Sequence, residues 1–96
     1  MNLKEATDTL QNSLIREHTG TYLLPCQKVF LKVQLQGRRL PVQFSAKDEV
    51  RFRIDEDGIT VEKLKTGAVY RQFAWKQVES LAAGEPETDN GPLFQG

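Results

Sequence analysis

The stretch VRFRIDEDGITV, residues 50–61, decides the fold. Val50, Phe52 and Ile54 alternate with Arg51 and Arg53, and Ile59 and Val61 alternate with Thr60 and Glu62. Alternation with a period of two marks strands that lay one face on a core. Between the two runs stands Asp55-Glu56-Asp57-Gly58, and an Asp-Gly pair in that position is a strong hairpin signal. The stretch therefore predicts two antiparallel strands with their aliphatic and aromatic side chains inward and their arginines outward. Asp55, Asp57 and Gly58 also faintly match a calcium loop. The EF-hand pattern, however, would need an acid where Arg53 stands and a glutamate where Leu64 stands, so the hairpin turn is the better reading.

The same alternation runs outward in both directions. Upstream, Val29, Leu31, Val33 and Leu35 oppose Phe30, Lys32, Gln34 and Gln36. After Gly37 and Arg38 break the run, Leu40, Val42 and Phe44 oppose Arg39 and Gln43. Pro41 has no N–H to give to a ladder, which predicts an edge strand or a bulge there. Ser45 to Asp48 read as a polar turn. Downstream, Lys65-Thr66-Gly67 is a turn, and Val69, Phe73 and Trp75 share a phase with Arg71 as the exception on their face. Trp75 reads as a core plug closing this strand. Residues 76–82 fit either a further strand or, slightly better from Val78, Leu81 and Ala82, a short terminal helix.

Before residue 18 the period is helical. Leu3, Ala6, Leu10 and Leu14 form one apolar stripe, which predicts a helix over residues 2–17. Asn2 suits its N-cap, Glu5 and Asp8 its positive end, Arg16 its negative end and Gly20 its stop. Residues 21–27, with Pro25, read as a connector. Residues 83–96, AGEPETDNGPLFQG, are acidic and without periodicity, and are expected to form a disordered tail. Leu93 to Gly96 resemble the core of a rhinoviral-protease tag site. The expectation is one globular domain over residues 1–82, α+β and mostly β. It comprises the helix, then about five antiparallel strands across residues 28–76 in a small barrel or strongly bent sheet, with the helix covering an open end or edge.

Composition narrows the function classes. At 96 residues, 39% hydrophobic and with zero formal net charge, the chain is not a wholly disordered one. No apolar run approaches the ~20 residues of a membrane span, and the first 18 residues lack a signal-peptide apolar region. A single cysteine, Cys26, leaves no internal disulfide and no multi-cysteine zinc site. A soluble cytoplasmic protein without a cofactor is expected. His18 and Cys26 are the available base and nucleophile, but they flank a connector with no third group to orient the histidine. Catalysis is therefore not expected.

The zero net charge hides a segregation. Residues 28–76 hold 11 basic and 6 acidic side chains, whereas residues 77–96 hold 4 acids and no base. Lys32, Arg39, Arg51 and Arg53 fall on outward strand phases, as do the aromatics Phe30 and Tyr70. Arg38 and Arg39 share the turn after Gly37. Arg71 either lies at the rim with its stem buried or reaches a partner. A basic sheet face with an aromatic can hold single-stranded nucleic acid, phosphates taking the charge and bases stacking on the ring. The acidic tail could compete for such a face as a tethered polyanion. The same outward bases could equally serve to keep the sheet dispersed and its edges unpaired.

The order of helix, five strands and polar tail resembles the Sm-like fold, in particular the bacterial Hfq family of RNA chaperones. Asn12-Ser13-Leu14-Ile15-Arg16-Glu17-His18-Thr19 looks like the end of that family's N-terminal helix. Either Tyr70-Arg71-Gln72 or Trp75-Lys76-Gln77-Val78 looks like its aromatic-basic-polar motif before the last strand. The resemblance implies a ring of subunits, with RNA contacts from Arg71 and Gln72 or from Lys76 and Gln77. The longer connector, and Pro41 near where a signature glycine would stand, depart from that pattern. Residues 50–61, followed by Phe73-Ala74-Trp75-Lys76-Gln77-Val78, also resemble bacterial pleckstrin-homology-like domains, which would imply protein or membrane-surface contact. The leading expectation is a non-enzymatic module that contacts RNA or single-stranded DNA through Lys32, Arg38, Arg39, Arg51, Arg53, Arg71, Gln72 and Lys76. The alternative is a protein-interaction or assembly domain that uses the helix or an edge strand, as a homo-oligomer or with another protein.

Overall fold

A computed structural model of the chain describes residues 1–84. It contains one helix, α1 (Leu3–Ser13), followed among the described residues by eight strands: β1 (Ile15–His18), β2 (Thr21–Leu23), β3 (Phe30–Leu35), β4 (Val42–Phe44), β5 (Val50–Ile54), β6 (Gly58–Lys63), β7 (Val69–Ala74) and β8 (Val78–Gly84). Short 3-10 turns at Ala46–Asp48 and Trp75–Gln77 link β4 to β5 and β7 to β8. The strands form two antiparallel sheets, one in the order β1-β2-β5-β6-β7 and the other β4-β3-β8. The sheets are not closed into a barrel. The α+β, mostly β architecture is as the alternation predicts.

The hairpin at residues 50–61 forms as read. Phe52 pairs with Val61 and Ile54 with Ile59, and Val50, Phe52, Ile54, Ile59 and Val61 are all buried. Its turn is self-braced: one carboxylate oxygen of Asp55 accepts from the Asp57 N–H at 2.8 Å and the Gly58 N–H at 3.1 Å. Trp75, buried as expected, then pins the turn from outside. Its indole N–H donates to the Asp55 carbonyl at 2.7 Å and its backbone N–H to the Asp57 carbonyl at 3.2 Å. Pro41 precedes β4, which is an edge strand of three residues, and Leu40 before it is 80% exposed rather than inward.

Three expectations are corrected. The helix is shorter than residues 2–17. Its Asn2 cap forms a capping box with Glu5, and the apolar stripe packs against the sheets, but Leu14 is already extended (φ −111°, ψ 162°). Ile15–His18 leave as strand β1, and the 21–27 connector contains strand β2, which sits between β1 and β5. Gly20 (φ 78°) lies in the turn of this extra hairpin rather than at a helix stop, and its carbonyl accepts from the Ile54 N–H at 2.7 Å. Ladder bonding of β1 to β2, and of β2 to β5, outweighs weak local helix propensity at β-branched Ile15.

The second correction concerns residues 76–82. They form a 3-10 turn and then β8, not a terminal helix. The misleading i, i+3 spacing of Val78 and Leu81 arises from a bulge: Leu35 pairs with Val78, but Gln34 pairs with Ser80, so Glu79 is the extra residue. A bulge shifts the strand phase by one, which lets both Val78 and Leu81 face the core. Third, Ala83 and Gly84 belong to β8 and pair with Leu31 and Phe30, so they are not tail. The remainder of the expected tail, residues 85–96 with Leu93 to Gly96, lies outside the described residues. Among those described, no helix is long and apolar enough to cross a membrane.

Candidate nucleic-acid interface

Strand register fixes which side chains share the outer face of the five-stranded sheet. One row across it runs Thr21, Arg53, Thr60, Gln72, and the next runs Ile15, Leu23, Arg51, Glu62, Val69. Arg51 and Arg53 do point outward, as their phase predicts. Both are already engaged within the chain. An Arg51 Nη atom lies 3.7 Å from a Glu17 carboxylate oxygen, and its other Nη donates to the Leu64 carbonyl at 3.2 Å. Arg53 meets Glu62 at 2.9 Å. At this exposure the Arg53–Glu62 pair stabilises by no more than about 1 kcal/mol. Its larger effect is electrostatic: the middle of the face is neutralised.

Tyr70 is likewise not a free stacking platform on the outer face. A second bulge makes it the extra residue of β7, since Val61 pairs with Arg71 while Glu62 pairs with Val69. The Tyr70 ring packs edge-on against Phe44, centroids 6.3 Å apart, and Lys63 Nζ sits 4.1 Å from its centroid. Phe30 is half-buried on β3. Lys32, also half-buried, lies on the other sheet between Gln43 and Ala82.

Of the remaining sequence-predicted residues, Arg38, Gln72 and Lys76 line two clefts at one rim, whereas neither cleft is lined by Arg39 or Arg71. Arg38 and Lys76 line a single open cleft of about 480 Å³ together with Gln77. A second cleft of about 270 Å³ is lined by Gln72, Phe73, Gln77 and Asp57. Gln77 borders both. The rim is well fixed. Gln77 Oε1 accepts from the Ala74 N–H at 3.0 Å, and the Gln77 carbonyl accepts from the Gln36 N–H at 2.8 Å. Gln34 Nε2 donates to the Arg38 carbonyl at 2.6 Å, which holds the turn that presents Arg38 and Arg39. Gln72 Nε2 donates to the Thr60 hydroxyl at 3.3 Å. The Arg71 guanidinium rests 5.3 Å from the Phe73 ring centroid. Among the described residues, Lys32, Arg38, Arg39, Arg71 and Lys76 form no ion pair.

Sequence reasoning missed the carboxylates that neutralise the face. Glu62 was findable, because a hairpin turning at 55–58 places residue 62 opposite residue 51. Glu17 was not, because its segment reads as helix and reaches Arg51 only through the β1-β2-β5 order. His18 is exposed on edge strand β1, and Cys26 is exposed in the loop before β3. No family model, curated protein or solved structure matches the chain.

Proposed function

We propose that the chain is a non-enzymatic, cytoplasmic binding module that holds single-stranded nucleic acid, RNA or DNA, at the rim around residues 36–40 and 71–77. The observation that supports this is the meeting of Arg38 and Lys76, both without a carboxylate partner among the described residues, in one cleft beside the Gln77 amide. Two exposed cations lining one cleft suit successive phosphates, while the Gln72 and Gln77 amides offer donors and acceptors to base edges. Phe73 is largely buried and Tyr70 is occupied, so stacking contributes little. Binding then rests on charge, tolerates sequence changes and falls steeply with salt. The resemblance of Trp75-Lys76-Gln77-Val78 to the Sm-like motif fits this placement and belongs to the same proposal.

The test is fluorescence anisotropy with labelled oligo(U) across a salt series. The double variant R38A/K76A should lose at least about tenfold in affinity at low salt. The slope of log K against log salt should become shallower by roughly 1.4, since each single-strand phosphate contact carries about 0.7. The double variant E17Q/E62Q frees Arg51 and Arg53. If it gains affinity while R38A/K76A loses none, the sheet face is the binding surface and the rim is not. No binding by the parent at low salt rejects the proposal entirely.

A second reading has its own observation. Strand β7 is an edge of the five-stranded sheet, and Val69 and Tyr70 on it are 58% and 44% exposed. Self-association through that edge, as in a ring, would be insensitive to salt. Light scattering after size-exclusion chromatography of the parent and of V69K separates it from the first reading.

A further inference from the structure

On the inner face of the five-stranded sheet one row runs Arg16, Tyr22, Phe52, Val61, Arg71. An arginine thus stands in a core-facing phase at each edge. Such a residue blunts edge-to-edge pairing, and Arg71, resting over Phe73, needs no other explanation. Arg16 differs in what surrounds it. It borders a cleft of about 210 Å³ between α1 and the β1–β2 hairpin, walled by Leu3, Thr7, Thr19, Tyr22 and Ile54.

Tyr22 anchors this cleft to the core. The residue is only 2% exposed, and its hydroxyl is not one of the buried atoms left without a hydrogen-bond partner. Here the residue opens on the cleft, directly opposite Arg16 in the strand register, where cross-strand side chains lie about 5 Å apart. Thr7 spends its proton on the Leu3 carbonyl at 2.8 Å. The donors left for a ligand are the Arg16 guanidinium and the Tyr22 and Thr19 hydroxyls. Opposite them, Leu3 and Ile54 provide an apolar wall.

We propose that this cleft binds a monocarboxylate on a short apolar stem. The carboxylate lies against the Arg16 guanidinium and the Tyr22 hydroxyl, and the stem lies on Leu3 and Ile54. One cation and two hydroxyls match a single negative charge, and a dianion such as phosphate would be only half neutralised and would meet the apolar wall. The site is separate from the rim around Lys76, so neither proposal depends on the other.

Hexanoate is the probe, followed by amide NMR shifts of the full chain. Saturable shifts are expected at the amides of Arg16, Thr19 and Tyr22, with a Kd on the order of a millimolar for so small a ligand. The R16Q variant, on an exposed edge strand and able to fold, should weaken binding at least about tenfold, because a charge-assisted contact is lost. Y22F keeps the ring in the core and should weaken it by roughly threefold to tenfold. Hexanol and inorganic phosphate should not saturate these amides. The proposal is overturned if hexanoate gives no saturable shift, if hexanol binds as well, or if R16Q binds as tightly as the parent.

Discussion

Gly58→Ala should destabilise the protein by about 3 kcal/mol or more, since the added methyl is forced into packed backbone. Gly58 opens β6 and pairs with Ala74. A Cβ there collides with the Phe73 carbonyl oxygen and stands 2.9 Å from the Ala74 Cα and the Phe73 carbonyl carbon. All three are main-chain atoms, so no side chain can rotate away. Moving β7 aside would pull Trp75 off the turn, breaking its bonds to the Asp55 and Asp57 carbonyls. For a domain of this size the expected drop in Tm is about 12–24 °C. Thermal unfolding followed by circular dichroism measures it. Gly37→Ala is the control. Gly37 has φ 75° but nothing within 4 Å of its Cβ position, so it carries only the left-handed backbone penalty of about 1–2 kcal/mol. Equal melting of the two variants would show that β6 and β7 do not approach closely at Gly58.

Phe52→Ala is expected to cost about 3–5 kcal/mol, the range for emptying a fully buried aromatic position. Phe52 is fully buried at the centre of the inner row, between Tyr22 and Val61. Its ring meets Phe44 of the other sheet edge-on, centroids 5.6 Å apart at 68°. The side chain therefore joins the two sheets as well as filling the core, and the cavity cannot close without bringing the sheets together. Urea unfolding should show a midpoint lowered in proportion, with the slope unchanged if folding remains two-state. Phe52→Leu should recover most of the loss. An alanine variant within 1 kcal/mol of the parent, on the order of a surface substitution, would mean that the ring is not shared between sheets.

The candidate site was legible in part. The outward phase of Arg51 and Arg53 is a local property and could be read from alternation. Whether those arginines are available is not local. Glu62 reaches Arg53 across one hairpin, but Glu17 reaches Arg51 only because β2 lies between β1 and β5. The convergence of Arg38 with Lys76 depends on the β7–β8 turn folding back beside the end of β3, where Gln36 bonds to Gln77. Neither charge predicts the other along the chain.

By itself the sequence determined the helix start, the hairpin at 50–61, the placement of Pro41 at an edge and the buried or exposed side of most strand residues. Each of these follows from contacts within a few residues: a capping box, an Asp-Gly turn, a missing N–H, a period of two. The tertiary structure alone decided that residues 15–23 form a hairpin rather than helix and connector, and that residues 78–84 form a strand. It also decided that the sheet's outward arginines are neutralised while a basic rim is left open. These depend on hydrogen bonds and ion pairs between segments far apart in the chain, and on register shifts in β1, β7 and β8 that change the side-chain phase. Such partners override weak local propensity and leave no periodic trace in the segments they reshape.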